Sequence, residues 1–190
     1  MRAAFLDKDG TLVEDIAFNV DPGRIKLMPN AGTGLRLLRD AGFALLVITN
    51  QPGVARGLFA ESALAAVEAR LRALLANEGV MLHGFAYCPH SPEGVVARYA
   101  HACACRKPLP GMLLAAARQH GIDLATSWMI GDILNDVEAG QRAGCRTVLL
   151  DNGHETEWLP GAFRRPDIIA ADLLDAALEI DRSIREERSH

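Results

Sequence analysis

The sequence predicts a three-layer α/β/α protein, a mainly parallel sheet with helices on both faces. Two observations carry this expectation. Short apolar runs alternate with longer segments of helical periodicity along the chain, the pattern that gives a parallel sheet covered on both sides. Three of the apolar runs also stop on polar residues, at Asp7, at Thr49-Asn50 and at Asp132. Ligands of such sheets bind beyond the carboxyl ends of the strands, so the three endings point at one rim.

The elements follow in order. Residues 2–6 (RAAFL) and 43–49 (FALLVIT) read as buried strands, being short, apolar and bounded by turn signals. Residues 31–41 set Leu35, Leu37, Leu38 and Ala41 on one helical face and end at Gly42, a good residue just past a helix. Residues 60–78 are the clearest helix, with Leu64, Val67, Leu71, Leu74 and Leu75 on one stripe and Gly79 closing it. A strand at 84–87 and a helix at 111–120, opening after Pro110, come next. Then come a strand at 127–132, a helix at 134–143, strands at 146–150 and 167–170, and a last helix from about 172 to 185. The closing residues, about 184–190, read as a polar, frayed tail. There is no repeat or linker, so a single domain over residues 1–190 is expected.

Composition narrows the class. The chain of 190 residues is 49% hydrophobic and 23% charged, as in a folded globular protein. A formal net charge of −4 points away from nucleic acid and anionic membrane as bulk partners. No apolar stretch reaches the roughly 20 residues that span a bilayer, and Asp7 interrupts any early signal-like run. A cytoplasmic location and a monomer are the expectations.

Asp7 and Asp9 stand two residues apart at the end of the first strand. Close carboxylates repel unless a cation neutralises them or one holds a proton, and Mg²⁺, a hard ion bound through oxygen, is the natural counter-charge. Asp132 and Asp136 add two acids, one spaced to cap a helix and one in its first turn. Thr49, Asn50 and Gln51 form a polar strand end suited to a phosphate. Arg106 and Lys107 sit before prolines in "CRKPLPG", and both cations suit phosphoryl oxygens. The spacing Cys88-x-His90-x12-Cys103-x-Cys105 provides three thiolates and one imidazole, a donor set for structural, tetrahedral Zn²⁺. His101 falls outside the paired pattern, and Cys145 reads as a small buried hydrophobe.

D-x-D-G-T at Asp7 to Thr11, T-N at Thr49-Asn50, Lys107 and G-D-x3-D from Gly131 to Asp136, in this order, resemble the haloacid dehalogenase superfamily of phosphohydrolases. The resemblance spans roughly residues 3–150 and implies a HAD-like Rossmannoid fold. "NQPGVARGLF", "YCPHSPEG" and "CACRKPLPGM" resemble, within it, the heptose 1,7-bisphosphate 7-phosphatase family of lipopolysaccharide-core synthesis, which carries a zinc loop (here about 88–105) in place of a large cap domain.

The resemblance implies a phosphorylated small-molecule substrate and a two-step reaction. Asp7 would be the nucleophile and Asp9 the general acid and base. Thr49 and Lys107 would stabilise the transferring phosphoryl group, and Asn50, Gln51, Arg106, Asp15 and Phe18 would contact substrate. Mg²⁺ would take Asp7, the Asp9 backbone carbonyl and Asp132, with Asp136 just outside its direct ligands. Zn²⁺ would take Cys88, His90, Cys103 and Cys105. Two departures stand out: Ala17-Phe18 where the family usually has Gly-Tyr, and Ile133 where it often has Lys. Histidinol-phosphate phosphatase, or another small sugar or nucleotide phosphatase, is the alternative enzyme, and a catalytically inactive, zinc-stabilised binding protein the alternative of another class.

Overall fold

Ala3–Leu6 form β1, a four-residue strand with every side chain buried, and the rest of the sheet grows outward from it. The computed structural model describes residues 1–189. The other strands are β2 (Ala44–Asn50), β3 (Gly84–Cys88), β4 (Trp128–Gly131), β5 (Arg146–Leu150) and β6 (Ile168–Ala170). They stand in the order β3-β2-β1-β4-β5-β6, and each neighbouring pair runs parallel. The chain moves outward on one side of β1, then returns to β4 and moves outward on the other. The switch therefore falls between β1 and β4, where such sheets open a crevice for ligands.

Alternation along the strands sends side chains to two cores. Ala4, Leu6, Leu45, Val47, Val148 and Leu150 face one side. There α1 (Ala31–Asp40), α2 (Leu64–Asn77) and α5 (Leu173–Arg188) cover them with residues such as Leu35, Leu71 and Ile180. Ala3, Phe5, Leu46, Ile48 and Met129 face the other side, under α3 (Gly111–His120) and α4 (Leu134–Ala143). Helices α1 and α5 pack closely at Gly34, where a Cβ would come within 2.3 Å of the Leu173 carbonyl oxygen.

Phe5 is fully buried in the second core. Truncating such a ring leaves a cavity and costs about 3–5 kcal/mol. Phe5→Ala is expected to lower the thermal midpoint by roughly 6–20 °C for a chain of this size, and a shift of only a degree or two in a melting curve would contradict this packing.

Three details differ from the sequence expectation. Leu37 is 37% exposed, because α1 turns Ala31, Leu35 and Leu38 into the core. The tail expected from about residue 184 is helical through Arg188; Ile184 still packs against the first core, and the Arg185–Asp181 pair at 2.7 Å braces the outer face. Residue 190 lies outside the described residues. Asp132 does not cap α4: Ile133 stands at that position, and its N–H donates to Asp136 Oδ2 at 3.3 Å. No helix among the described residues is long and apolar enough to cross a membrane.

Candidate active site

Four chain segments meet at the carboxyl ends of β1, β2 and β4. Asp7 follows β1, and its N–H still donates to the Ile130 carbonyl of β4 at 2.9 Å. Asp132 follows β4, so these two acids straddle the switch point. Lys107 arrives from the loop before α3 and is buried between Asp7 and Asp136. Its ammonium donates to Asp7 Oδ1 at 2.7 Å and to the Ile48 carbonyl at 2.9 Å, and pairs with Asp136 Oδ1 at 2.6 Å. Burial by itself would depress Lys107, but the Asp136 and Asp7 carboxylates hold its pKa well above the usual range.

Asp7, Asp132 and Asp136 are all buried and offer oxygens within 4.8 Å of one another. One ammonium does not balance three close carboxylates. Burial, followed by the nearby Asp7 charge, pushes Asp132 up to about 7. An all-oxygen donor set with surplus negative charge fits a hard divalent cation.

Asp9 is placed differently. It forms an ion pair with the buried Lys8 ammonium and accepts from Gln51 Nε2 at 3.2 Å. Burial raises its pKa, and Lys8 opposes the rise. Gln51 Nε2 also donates to Thr49 Oγ1 at 3.0 Å, tying the end of β2 to Asp9. The Asn50 amide faces the other way. Its Nδ2 donates to the Lys107 carbonyl at 3.0 Å and its Oδ1 accepts from the Lys107 N–H at 3.1 Å. The Asn50 side chain is thus engaged in holding Lys107.

A cavity of about 210 Å³ opens beside this group, lined by Asp9, Asp15, Ala17, Phe18, Asn50 and Gln51. Arg56 stacks over the Phe18 ring, 5.4 Å from its centroid. Arg106 turns away, donating to the His90 carbonyl at 3.3 Å. A larger cavity of about 520 Å³, lined by His83, Gly84, Met112 and His120 among others, lies at β3 and α3 and includes none of the rim carboxylates.

Cys88, at the end of β3, meets His90, Cys103 and Cys105 in a second cluster. Its Sγ lies 3.5 Å from Cys103 Sγ and 3.1 Å from Cys105 Sγ, and His90 Nδ1 is 3.6 Å from Cys88 and 3.4 Å from Cys105. A tetrahedral ion with bonds of about 2.3 Å to sulfur separates its ligands by about 3.7 Å, so the four atoms fit a closed metal site with slight expansion. The His101 ring lies 4.4 Å from that of His90 but is not in the cluster, and Cys145 is buried in the second core.

Several contributors fell outside the expected site residues. Thr11 Oγ1 donates to Asp132 Oδ1 at 3.1 Å, and His154 Nδ1 lies 2.6 Å from Asp132 Oδ2. Glu61 accepts from both Tyr87 and Tyr99, at 3.2 and 2.6 Å, fastening the metal loop to the segment before α2. A chemical reason marks only Thr11 and Lys8, which lie inside the first motif.

The fold and the acidic rim are those of an α/β phosphohydrolase, and the comparisons with known proteins agree. The family described as "HAD-hyrolase-like" matches residues 104–176. The D-glycero-beta-D-manno-heptose-1,7-bisphosphate 7-phosphatase of Yersinia pestis is 40% identical over 148 residues, 78% of this chain and 79% of that protein. The D-glycero-alpha-D-manno-heptose-1,7-bisphosphate 7-phosphatase of Photorhabdus laumondii is 35% identical over 157 residues, 82% of this chain and 86% of that protein. The structure of the D,D-heptose 1,7-bisphosphate phosphatase from B. bronchiseptica, complexed with magnesium and phosphate, superposes with a TM-score of 0.78 at 32% identity. It covers 96% of this chain and 99% of that one. The chain belongs to the haloacid dehalogenase-like phosphatases, in the group that includes these heptose bisphosphate enzymes.

Proposed function

We propose that the protein removes the 7-phosphate of D-glycero-D-manno-heptose 1,7-bisphosphate, through an aspartyl-phosphate on Asp7. The convergence of Asp7, Lys107 and Asp132 at the rim, with Asp9 beside the cavity, carries this reading. The names of relatives covering more than three quarters of the chain supply the sugar.

An Asp7 oxygen attacks phosphorus in line, and the bond from phosphorus to the sugar oxygen breaks as Asp9 gives that oxygen its proton. Burial favours the proton-bearing form of Asp9, and the Lys8 ammonium opposes it. Asp9 then takes a proton from water as that water attacks phosphorus, and cleavage of the phosphorus–Asp7 bond releases phosphate. Lys107 stabilises charge on the transferring group, and Thr49 with the Asn50 backbone is close enough to share this role.

Gln51 orients Asp9, while the Asn50 side chain keeps Lys107 in place. Magnesium would be held by Asp7, the Asp9 carbonyl and Asp132, and would supply the positive charge that lets a phosphate dianion approach the Asp7 carboxylate. Asp136, paired with Lys107, serves that lysine. Zinc would be held by Cys88, His90, Cys103 and Cys105 and would order the loop between them. Phe18 and Asp15 border the cavity that takes the sugar, with Arg56 stacked over the Phe18 ring; Arg106 reaches the substrate only by releasing the His90 carbonyl.

A panel of both heptose bisphosphate anomers, histidinol phosphate and common sugar phosphates tests the assignment. One heptose anomer is expected to exceed every other compound in kcat/KM by about tenfold or more, since discrimination by contacts to substrate hydroxyls reaches this size. A preference for histidinol phosphate would overturn it.

A further inference from the structure

We propose that His154 is a positioning residue for Asp132, holding that carboxylate in the rotation that presents it to the divalent cation. The inference rests on the magnesium reading above and adds a residue that belongs to none of the sequence motifs.

His154 lies in the connection between β5 and β6. Three side chains bring this segment back to the rim, each to a different place. Asn152 Nδ2 donates to the Gly10 carbonyl at 2.8 Å, Glu155 Oε2 accepts from the N–H of Leu134 at 2.6 Å, and His154 Nδ1 meets Asp132 Oδ2 at 2.6 Å. The first two contacts end on backbone and anchor the segment. Only His154 ends on a carboxylate of the buried acidic group.

The terminal torsion of an aspartate is broad, so a single hydrogen bond leaves the carboxylate free to swing. Thr11 Oγ1 holds Oδ1 at 3.1 Å, and His154 holds Oδ2. With both oxygens held, one rotation remains. An ionised carboxylate has about four acceptor positions, so each oxygen keeps one for a metal ion. An ionised carboxylate accepts only, so against it the His154 ring donates from Nδ1.

The turn after β1 is built around this pair. Gly10 has φ +76°, and a Cβ there would lie 2.1 Å from Asp132 Oδ2 and 2.3 Å from His154 Nδ1. The histidine and the aspartate thus occupy the space that any side chain at Gly10 would need. Partners that orient a metal ligand typically contribute 10–100-fold in metal affinity.

The test is calorimetric titration of MgCl₂ into substrate-free protein, prepared without chelator so that the cysteine cluster keeps its metal. Wild type, His154→Ala and His154→Asn are compared, with kcat at saturating magnesium and the magnesium-free melting temperature measured for each. His154→Ala is expected to weaken magnesium binding about tenfold or more, leaving kcat at saturating metal within about threefold of wild type. His154→Asn, whose amide nitrogen can stand where Nδ1 stands, is expected to regain most of the affinity.

Equal binding by wild type and His154→Ala overturns the proposal. Tighter binding by His154→Ala also overturns it, since the ring would then compete with the cation. So does a His154→Asn variant as weak as the alanine, because anchoring of the loop rather than the hydrogen bond would be the cause. Wild type that takes up no magnesium overturns the magnesium reading itself, and this proposal with it.

Discussion

Asp7→Asn is expected to lower phosphate release by about 10⁴- to 10⁶-fold, the scale on which an enzyme loses its nucleophile. The asparagine keeps the size and the packing of the aspartate, so the fold should persist. It lacks the anionic oxygen that must bond to phosphorus. It also removes one of three carboxylates lying within 4.8 Å of one another, so the melting temperature should stay level or rise. Lys107 keeps Asp136 at 2.6 Å and the Ile48 carbonyl at 2.9 Å and does not become an unpaired buried charge. Phosphate release is read with the best substrate of the panel, and mass spectrometry of acid-quenched enzyme reads the 80-Da phosphoryl adduct, about the mass of HPO₃ added on covalent catalysis. The variant should carry no adduct. Activity above about one per cent of wild type would sink Asp7 as nucleophile.

Loss of the cysteine–histidine metal ranks second. Residues 89–102 contain no helix or strand; the four ligands hold them together with Glu61 on Tyr99 and the Val95 and Val96 N–H bonds to the Ala55 carbonyl at 2.8 and 2.9 Å. Without a cation, burial pushes the Cys88 thiol well above its ordinary range, whereas a bound metal requires the thiolate. Cys105→Ser is expected to purify with far less than one zinc per chain and to melt roughly 6–16 °C lower, if the site contributes about 3–4 kcal/mol in a domain of this size. Activity should fall with it. Lys107 follows Cys105 by two residues, and the Asn50 amide clamps the Lys107 backbone through bonds of 3.0 and 3.1 Å, so a loosened loop displaces the phosphoryl-stabilising ammonium. Wild type containing well under one zinc per chain by elemental analysis would remove the basis of this prediction.

The strands and helices were legible because each carries a local pattern. β1, β2 and β4 are short apolar runs bounded by polar residues, and α2 carries a stripe with Leu64, Val67, Leu71 and Leu75 buried. Where local pattern misled, packing was the reason. Leu37 matches the α1 stripe yet faces outward, and the charged residues after 184 continue α5 because Ile184 still finds the core. The acids, Lys107 and the cysteine pairs were legible because their chemistry needs particular residue types at short spacings. Their division of labour was less so. Asn50 was expected to meet the substrate through its backbone; the structure adds that its side-chain amide holds Lys107, and that Gln51 is the side chain that reaches Asp9.

By itself the sequence determined the alternating α/β plan, the polar strand ends that mark the rim, and the two sets of metal-binding residue types. These are properties of nearest neighbours along the chain, where periodicity and spacing act. Only the tertiary structure decided which acid meets which cation, how Asp9 is held apart from the three-carboxylate group, and that His154 meets Asp132. Those contacts join residues as far apart as Asp7 and Lys107, 100 positions along the chain, or Gly10 and Asn152, 142 positions. A parallel sheet brings the carboxyl ends of its strands to one edge, and that geometry, absent from any local stretch, makes distant side chains neighbours.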